Sequence, residues 1–261
     1  MSARYSSPSG HSSPRRPTTA VGASATLATQ VMNYVRDAAQ TGSMTPGTWY
    51  SVYRLSEELG ISRSPVRDGL LRLEEAGLIE FSRNRGFQIV ETKPSDVADI
   101  FDVRLALEPR IAARAALQRS ETDIELMHEI LEHMAAANAA EDEPVFFDWD
   151  VELHNAILHA GNSRRGAQAL ETLRTHTRIL ADSTVRTQRS MDQVQSEHVP
   201  IVKAIERGDA QAAAHAMQDH LTATGRLLLT QTILHHNPGL EAAALESAVD
   251  EIWQRHIGDA G

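Results

Sequence analysis

The stretch "PGTWYSVYRLSEELGISRSPVRDGLLRLEEAGLIEFSRNRGFQIVE", Pro46–Glu91, contains the signals that predict the fold of the N-terminal part of the chain. A short helix closed by Gly60 precedes a helix that starts after Ser62 and closes at Gly77. "LIEF" and "FQIV" are typical of two short strands joined by the loop "SRNRG", which predicts a hairpin. A further helix is predicted in the preceding segment, "ASATLATQVMNYVRDAAQTG". Together these elements predict a winged helix-turn-helix domain over residues 24–91.

The third predicted helix carries a basic first turn and a half. Arg63 and Arg67 are four residues apart and therefore share one face. A recognition helix contacts base edges with its N-terminal residues, and arginine can bind guanine through two hydrogen bonds. The basic hairpin loop suits contacts to the DNA backbone or the minor groove. The alternative is a small helical domain with solvated arginines. The candidate DNA-contacting residues are Ser62, Arg63, Ser64, Arg67, Arg83, Asn84, Arg85 and Gly86.

Charge and composition restrict the classes of partner. The 261-residue chain has a net charge of −10, but residues 1–91 carry 10 Arg and no Lys against 8 acidic residues. DNA binding is therefore expected only from the N-terminal part. The absence of cysteine excludes disulfides and thiolate metal ligands.

The N-terminal segment and the lack of long apolar runs indicate where in the cell the protein is expected. Residues 1–23 are rich in Ser, Pro, Thr and Arg and lack the apolar core of a secretory signal, so we predict a disordered tail. No apolar run reaches the length of a membrane span. We therefore expect a soluble, cytoplasmic protein without a membrane partner.

The rest of the chain has helical periodicity. Residues 92–95 are predicted to be a linker, residues 96–236 an all-α bundle, and residues 237–261 an extension with one further helix. A kink or break is expected at Pro109. The fold class is thus mainly α, a winged helix-turn-helix followed by a helical bundle. The other predicted bundle helices cover residues 121–140, 144–160, 163–189, 193–207 and 210–235.

The segment "DWDVELHNAILHAGN" raises the question of a metal site. Asp150 and His154 are four residues apart, so on a helix they share a face, as two metal ligands would or as two surface polar residues would. His198 and His220 lie in two later predicted helices and could face this pair, whereas the spacing of His159 turns it away. One carboxylate and three imidazoles suit Zn²⁺, with Ni²⁺, Fe²⁺ and Mn²⁺ as alternatives.

The N-terminal motifs carry a family resemblance. Three segments resemble the DNA-binding domain of the GntR family of bacterial transcription regulators. They are the initial "PG", "LSEELGISRSPVRDGLLRLEEAGLI" and "NRG". The resemblance implies that Pro65 also contacts the operator. Val52 and Arg54 stand where many members carry acidic residues, and Gly69 stands where alanine is usual. Arg54 could add a phosphate contact, so the operator sequence does not carry over from the family.

The C-terminal part resembles the all-helical FCD effector domain of the FadR subgroup. The matching pieces are "DVADIFDVRLALEPRIAARAA", "DWDVELHNAILHAGN" and "SEHVPIVKAIERGDAQAAAHAMQDHL". Metal-binding members of that subgroup use one Asp and three His, which map onto Asp150, His154, His198 and His220. The resemblance therefore implies a divalent metal centre beside a pocket for a small organic acid.

Four residues are candidates for the effector pocket. Arg104 resembles an arginine that reaches into the pocket in relatives, and its alternative role is an ion pair with Glu108 one helical turn away. Asn162 resembles a polar pocket residue, and its alternative role is to end a helix. His176 and Arg178 are the other two candidates.

These resemblances predict a homodimeric transcription regulator that binds a near-palindromic double-stranded operator. A small carboxylate bound at the metal would control operator affinity. One alternative is a regulator for which the metal itself is the signal. Another is an Asp/His₃ metalloenzyme, which would need a positioned acid or base such as Glu152, Glu197 or His176 and would leave the winged helix unexplained. We therefore do not expect an enzyme.

Overall fold

The computed structural model describes residues 27–40, 42–170, 173–174 and 189–258. The predicted tail, residues 1–23, lies outside the described residues. So do the pocket candidates His176 and Arg178 and most of the helix predicted for residues 163–189.

The N-terminal domain combines three helices with a small antiparallel sheet. The strand order is β1-β3-β2, and Phe87 on the central strand lies opposite both Tyr50 and Phe81. The predicted helices and hairpin are confirmed, while the two-residue strand β1 was not predicted. The elements are α1 (Leu27–Gln40), β1 (Trp49–Tyr50), α2 (Val52–Leu59), α3 (Arg63–Glu75), β2 (Ile79–Ser82) and β3 (Gly86–Ile89).

The core of this domain forms where α1 and α3 pack closely. A Cβ atom added at Gly69 would lie 2.6 Å from the Ala28 carbonyl oxygen, so glycine permits this approach of the two helices. Glycine costs a helix interior about 1 kcal/mol relative to alanine, and the close packing offsets that cost here. The buried apolar residues of this core include Val31, Val35, Leu55, Val66, Leu70, Leu73, Ile79 and Phe87.

The C-terminal domain is helical throughout its described part. Residues 164–170 and 173–174 are also helical but belong to a segment that is described only in part. The predicted all-α bundle is confirmed, and so is the extra helix of the C-terminal extension. The helices are α4 (Pro94–Gln118), α5 (Glu121–Ala139), α6 (Glu143–Ala160), α7 (Met191–Glu206), α8 (Ala210–His236) and α9 (Ala242–His256).

The first helix of the bundle differs from its prediction in two ways. It begins at Pro94, so Pro94 and Ser95 belong to α4 although they were predicted to be linker. Proline fits the first helical position because its missing N–H has no partner within the helix there. Of the kink or break predicted at Pro109, the break is wrong, because α4 continues through this residue to Gln118, and the kink stays a prediction.

The bundle core is continuous from α4 to α9. Trp253 of α9 and Phe101 of α4 both lie against Gly225 of α8, where an added Cβ would be 2.7 Å from each ring. The His236 ring donates a hydrogen bond from Nε2 to the Thr92 carbonyl at 3.0 Å, which ties the end of α8 to the linker. None of the described helices combines the length and hydrophobicity that crossing a bilayer requires.

Candidate DNA-reading surface and candidate metal centre

The start of α3 presents polar and basic side chains to solvent. Ser62 occupies the N-cap position, as predicted, although its side chain makes no capping hydrogen bond. Ser62, Arg63, Ser64 and Arg67 are all exposed, whereas Pro65 is half-buried in the first turn. The helix N-terminus, with its free N–H groups and these side chains, can therefore meet a phosphate or a base edge directly.

The hairpin tip forms a second basic surface. Arg83, Asn84 and Arg85 are exposed, and Asn84 has a left-handed backbone with a φ of 64°. Gly86 has a φ of 101° and passes so close to the Tyr50 carbonyl that a side chain would collide with it. The turn thus holds the arginines at the tip of the wing.

Arg54 is a separate exposed cation on α2. Its side chain is available for the phosphate contact that the sequence suggests. The structure shows the exposure of these DNA-contacting candidates, and their contacts with DNA stay predictions.

Three helices bring the candidate metal ligands together. Asp150 and His154 lie one turn apart on α6, His198 lies on α7, and His220 lies on α8. Ring nitrogens of the three histidines lie within 4.8 Å of one another, and all three rings are buried. Two of the four candidate ligands thus share α6, and the other two lie one each on α7 and α8, as expected from the sequence.

Each histidine ring is oriented through its Nδ1 atom. His154 Nδ1 lies 2.8 Å from a Glu108 carboxylate oxygen, and His220 Nδ1 lies 2.9 Å from a Glu197 carboxylate oxygen. His198 Nδ1 lies 2.9 Å from the Val194 backbone carbonyl. These groups accept hydrogen bonds, so each Nδ1 carries the proton and each Nε2 keeps a free lone pair. A metal-ligating histidine has the same arrangement.

The fourth candidate ligand borders the histidine cluster at His198. Asp150 Oδ1 is 3.2 Å from His198 Nε2. Two ligand atoms that are each about 2.1 Å from a tetrahedral Zn²⁺ are separated by about 3.4 Å. The spacing of Asp150 and His198 therefore fits two ligands of one ion, and the three histidines offer a divalent metal the other imidazole donors.

Electrostatics keep these groups in the forms that bind a cation. Burial, followed by repulsion from the neighbouring histidines, lowers the pKa of His220 well below its usual value. Burial also lowers the pKa of His154, although Glu108 opposes the shift. For Asp150, burial alone would raise the pKa, but its position beside the histidines, His198 first, outweighs burial and lowers the pKa. Neutral imidazoles beside an ionised carboxylate are the forms that ligate metals.

Two arginine–carboxylate pairs support the centre. Arg104 donates from Nε to Glu108 at 2.7 Å, and both side chains are almost wholly buried. Arg189 donates from Nη1 to Glu197 at 3.2 Å and to the Thr224 hydroxyl at 3.2 Å. Sequence reasoning named Glu108 only as a partner of Arg104, and Glu197 only as a candidate acid or base. It did not identify Arg189 or Thr224, because no spacing rule relates residues that lie far apart along the chain.

The candidate effector residues have different positions. Arg104 forms the ion pair with Glu108 that was its alternative role, and it still lies near the centre because Glu108 also contacts His154. Asn162 is exposed at the end of α6, with a φ of 49° and its N–H bonded to the His159 carbonyl at 2.7 Å. It is eight residues beyond His154, about 12 Å along a helix axis. The roles of Arg104 and Asn162 in effector binding stay predictions.

The other candidates lie away from the centre. His159 is exposed, with 88% of its side chain accessible, so its exclusion from the metal site agrees with the structure. Glu152 is also exposed on α6.

Comparisons with known proteins agree with this two-domain arrangement. Residues 27–89 match the bacterial regulatory proteins of the gntR family, and residues 99–223 match the FCD domain. A probable D-xylose utilization operon transcriptional repressor of Paenarthrobacter nicotinovorans is 25% identical over 222 residues, which cover 85% of this chain and 95% of that protein. An uncharacterized HTH-type transcriptional regulator of Agrobacterium vitis is 30% identical over 127 residues, covering 48% of this chain and 74% of that protein.

The fold also resembles solved structures. Escherichia coli McbR/YncC superposes with a TM-score of 0.62 at 21% identity, covering 79% of this chain and 99% of that chain. This similarity supports the arrangement of a small N-terminal domain followed by a helical bundle.

Proposed function

The chain belongs to the GntR family of bacterial regulatory proteins and carries an FCD domain, and from this membership we propose that a small carboxylate, bound at a divalent metal in the helical domain, controls its affinity for DNA. Both domains belong to transcription regulators and not to enzymes. We further propose that the regulator acts in the cytoplasm as a homodimer on a near-palindromic operator.

The observation that carries the metal proposal is the common orientation of the three buried histidines. Each Nδ1 atom faces an acceptor, so the three Nε2 lone pairs remain for an ion. Asp150 adds a charged oxygen. This donor set suits Zn²⁺, and Ni²⁺, Fe²⁺ or Mn²⁺ with more ligands. A bound ion would supply a Lewis-acidic centre for a carboxylate oxygen.

The surroundings favour an effector over a purely metal-responsive regulator. The buried Arg104 guanidinium is linked to the candidate ligand His154 through Glu108. Its Nε atom is bonded to Glu108, and its remaining N–H groups can bind a carboxylate. Asn162 is a weaker candidate because it lies at the exposed end of α6.

A thermal-shift screen of Zn²⁺-loaded and chelator-treated full-length protein tests this function. The similarity to a protein named for D-xylose utilization makes D-xylose and D-xylonate a useful pair, since only the second carries a carboxylate. Lactate, citrate and hexuronates complete the screen. We expect an acid to raise the melting temperature of the Zn²⁺-loaded protein alone and to change its operator affinity. An equal shift after metal removal would contradict the metal-bound effector.

A further inference from the structure

Three of the candidate DNA-contacting arginines lie against aromatic rings. The guanidinium carbon of Arg63 is 4.7 Å from the centre of the Tyr53 ring. The corresponding distance is 5.9 Å from Arg67 to Phe81 and 5.7 Å from Arg85 to Trp49. The Arg63–Tyr53 pair is thus the closest of the three, and it joins α2 to the start of α3.

Tyr53 has no evident packing role. The residue is 49% exposed. Among the described residues, the hydrophobic core of the N-terminal domain includes Phe81 as a partly buried member but not Tyr53. The ring therefore covers the Arg63 guanidinium at the surface rather than completing the core.

We propose that Tyr53 is a positioning residue for Arg63 and a determinant of operator specificity. This inference rests on the proposed contact of Arg63 with DNA. A guanidinium held against a ring keeps its N–H groups free at the edge, and these groups bind a guanine or a phosphate. A free arginine side chain must lose rotamer entropy when it binds, whereas a held one has lost part of it already.

The energetic scale of the contact sets the size of the effect. Cation–π contacts at exposed sites contribute about 0.5–1 kcal/mol, so removing the ring is expected to weaken operator binding by about two- to fivefold. Nonspecific binding rests on phosphate charges. It should therefore change little, and the ratio of specific to nonspecific affinity should fall.

The test begins with an operator selected from a random DNA pool by the full-length wild-type protein. Tyr53→Phe retains the ring, whereas Tyr53→Leu removes it and leaves an apolar side chain of smaller size. We expect Tyr53→Phe to bind the operator like the wild type and Tyr53→Leu to bind it about two- to fivefold more weakly. In an Arg63→Ala background, measured at low salt, Tyr53→Leu should have no further effect.

Each other outcome has a separate meaning. If Tyr53→Leu weakens binding equally with and without Arg63, the ring acts on DNA or on folding by itself and the inference is wrong. If Tyr53→Phe fails as badly as Tyr53→Leu, the hydroxyl group and not the ring is responsible, which also overturns it. If the wild type selects no sequence at all, the DNA-binding function itself fails.

Discussion

His154 and Glu108 form a buried pair in which the ring Nδ1 atom and a carboxylate oxygen are 2.8 Å apart. Glu108 accepts a second hydrogen bond from Arg104 at 2.7 Å. The carboxylate therefore fixes the ring of one candidate metal ligand and is itself held in place. A second pair, His220 and the half-buried Glu197, makes the same kind of contact at 2.9 Å.

Replacing Glu108 by glutamine should weaken metal binding. The amide can still accept a hydrogen bond, but it loses the negative charge that increases the basicity of His154. Loss of such a supporting partner costs about 10- to 100-fold in metal affinity. Competition between the protein and a chromogenic chelator measures this change. Glu152→Gln, an exposed change on the same helix as His154, is the control, and equal affinities for both variants would show that Glu108 does not support the centre.

The double change Arg63→Ala with Arg67→Ala should abolish operator binding while metal content stays the same. Both cations are exposed at the N-terminal part of α3, far along the chain from the histidines. Electrophoretic mobility shift and metal analysis of the same preparations measure the two properties. Arg72→Ala, an exposed change near the other end of α3, should leave binding largely intact. Retained operator binding by the double variant would contradict the DNA-reading surface.

Gly69→Ala should destabilise the N-terminal domain, although alanine is the better helix former. The gain in helix propensity is about 1 kcal/mol. It is opposed by a clash with the Ala28 carbonyl, and overpacking of this kind costs about 1–3 kcal/mol. Chemical denaturation should therefore show a net loss of up to about 2 kcal/mol. A Cβ at Gly239 meets nothing within 4 Å, so Gly239→Ala is the control. A stabilised Gly69→Ala variant would mean that α1 and α3 are less closely packed.

Trp253→Ala should release the C-terminal helix α9 from the bundle. Trp253 is 5% exposed, and truncating a buried tryptophan costs about 3–5 kcal/mol. Limited proteolysis should then cut faster near residues 237–241, between α8 and α9, and the melting temperature should fall. Glu246→Ala, an exposed change on the same helix, should not alter the cleavage rate. Unchanged cleavage in both variants would show that α9 is not held by Trp253.

Much of the fold could be predicted because its signals are local. Glycine and proline mark the ends of elements, and apolar spacing distinguishes the helices from the hairpin. Strand β1 was not predicted because its two residues, Trp49 and Tyr50, are too few to show an alternating pattern. Only their pairing with β3 defines them as a strand. The start at Pro94 fits the local preference of proline for the first helical position. The continuation of α4 through Pro109, which is buried, depends on tertiary packing, which propensity does not describe.

The candidate metal site, like the fold, could be predicted only in part. Its candidate ligands were named from helical spacing and family resemblance, since both are properties of the chain, and their role as ligands stays a prediction. The supporting contacts of Glu197 and Val194 were not found, because they depend on how three helices meet. For Gly69, the sequence indicated only a helix cost, and the proximity of the Ala28 carbonyl supplies the physical reason for glycine.

The most direct test of the account is a titration of Zn²⁺ into chelator-treated full-length protein, followed by calorimetry. We expect saturable binding of about one ion per chain to the wild type, because the four candidate ligands form one centre. The triple variant His154→Ala, His198→Ala and His220→Ala should lose this binding, and circular dichroism should first establish that it is folded. An unchanged stoichiometry and affinity in the folded triple variant, or no saturable binding in the wild type, would contradict the metal centre.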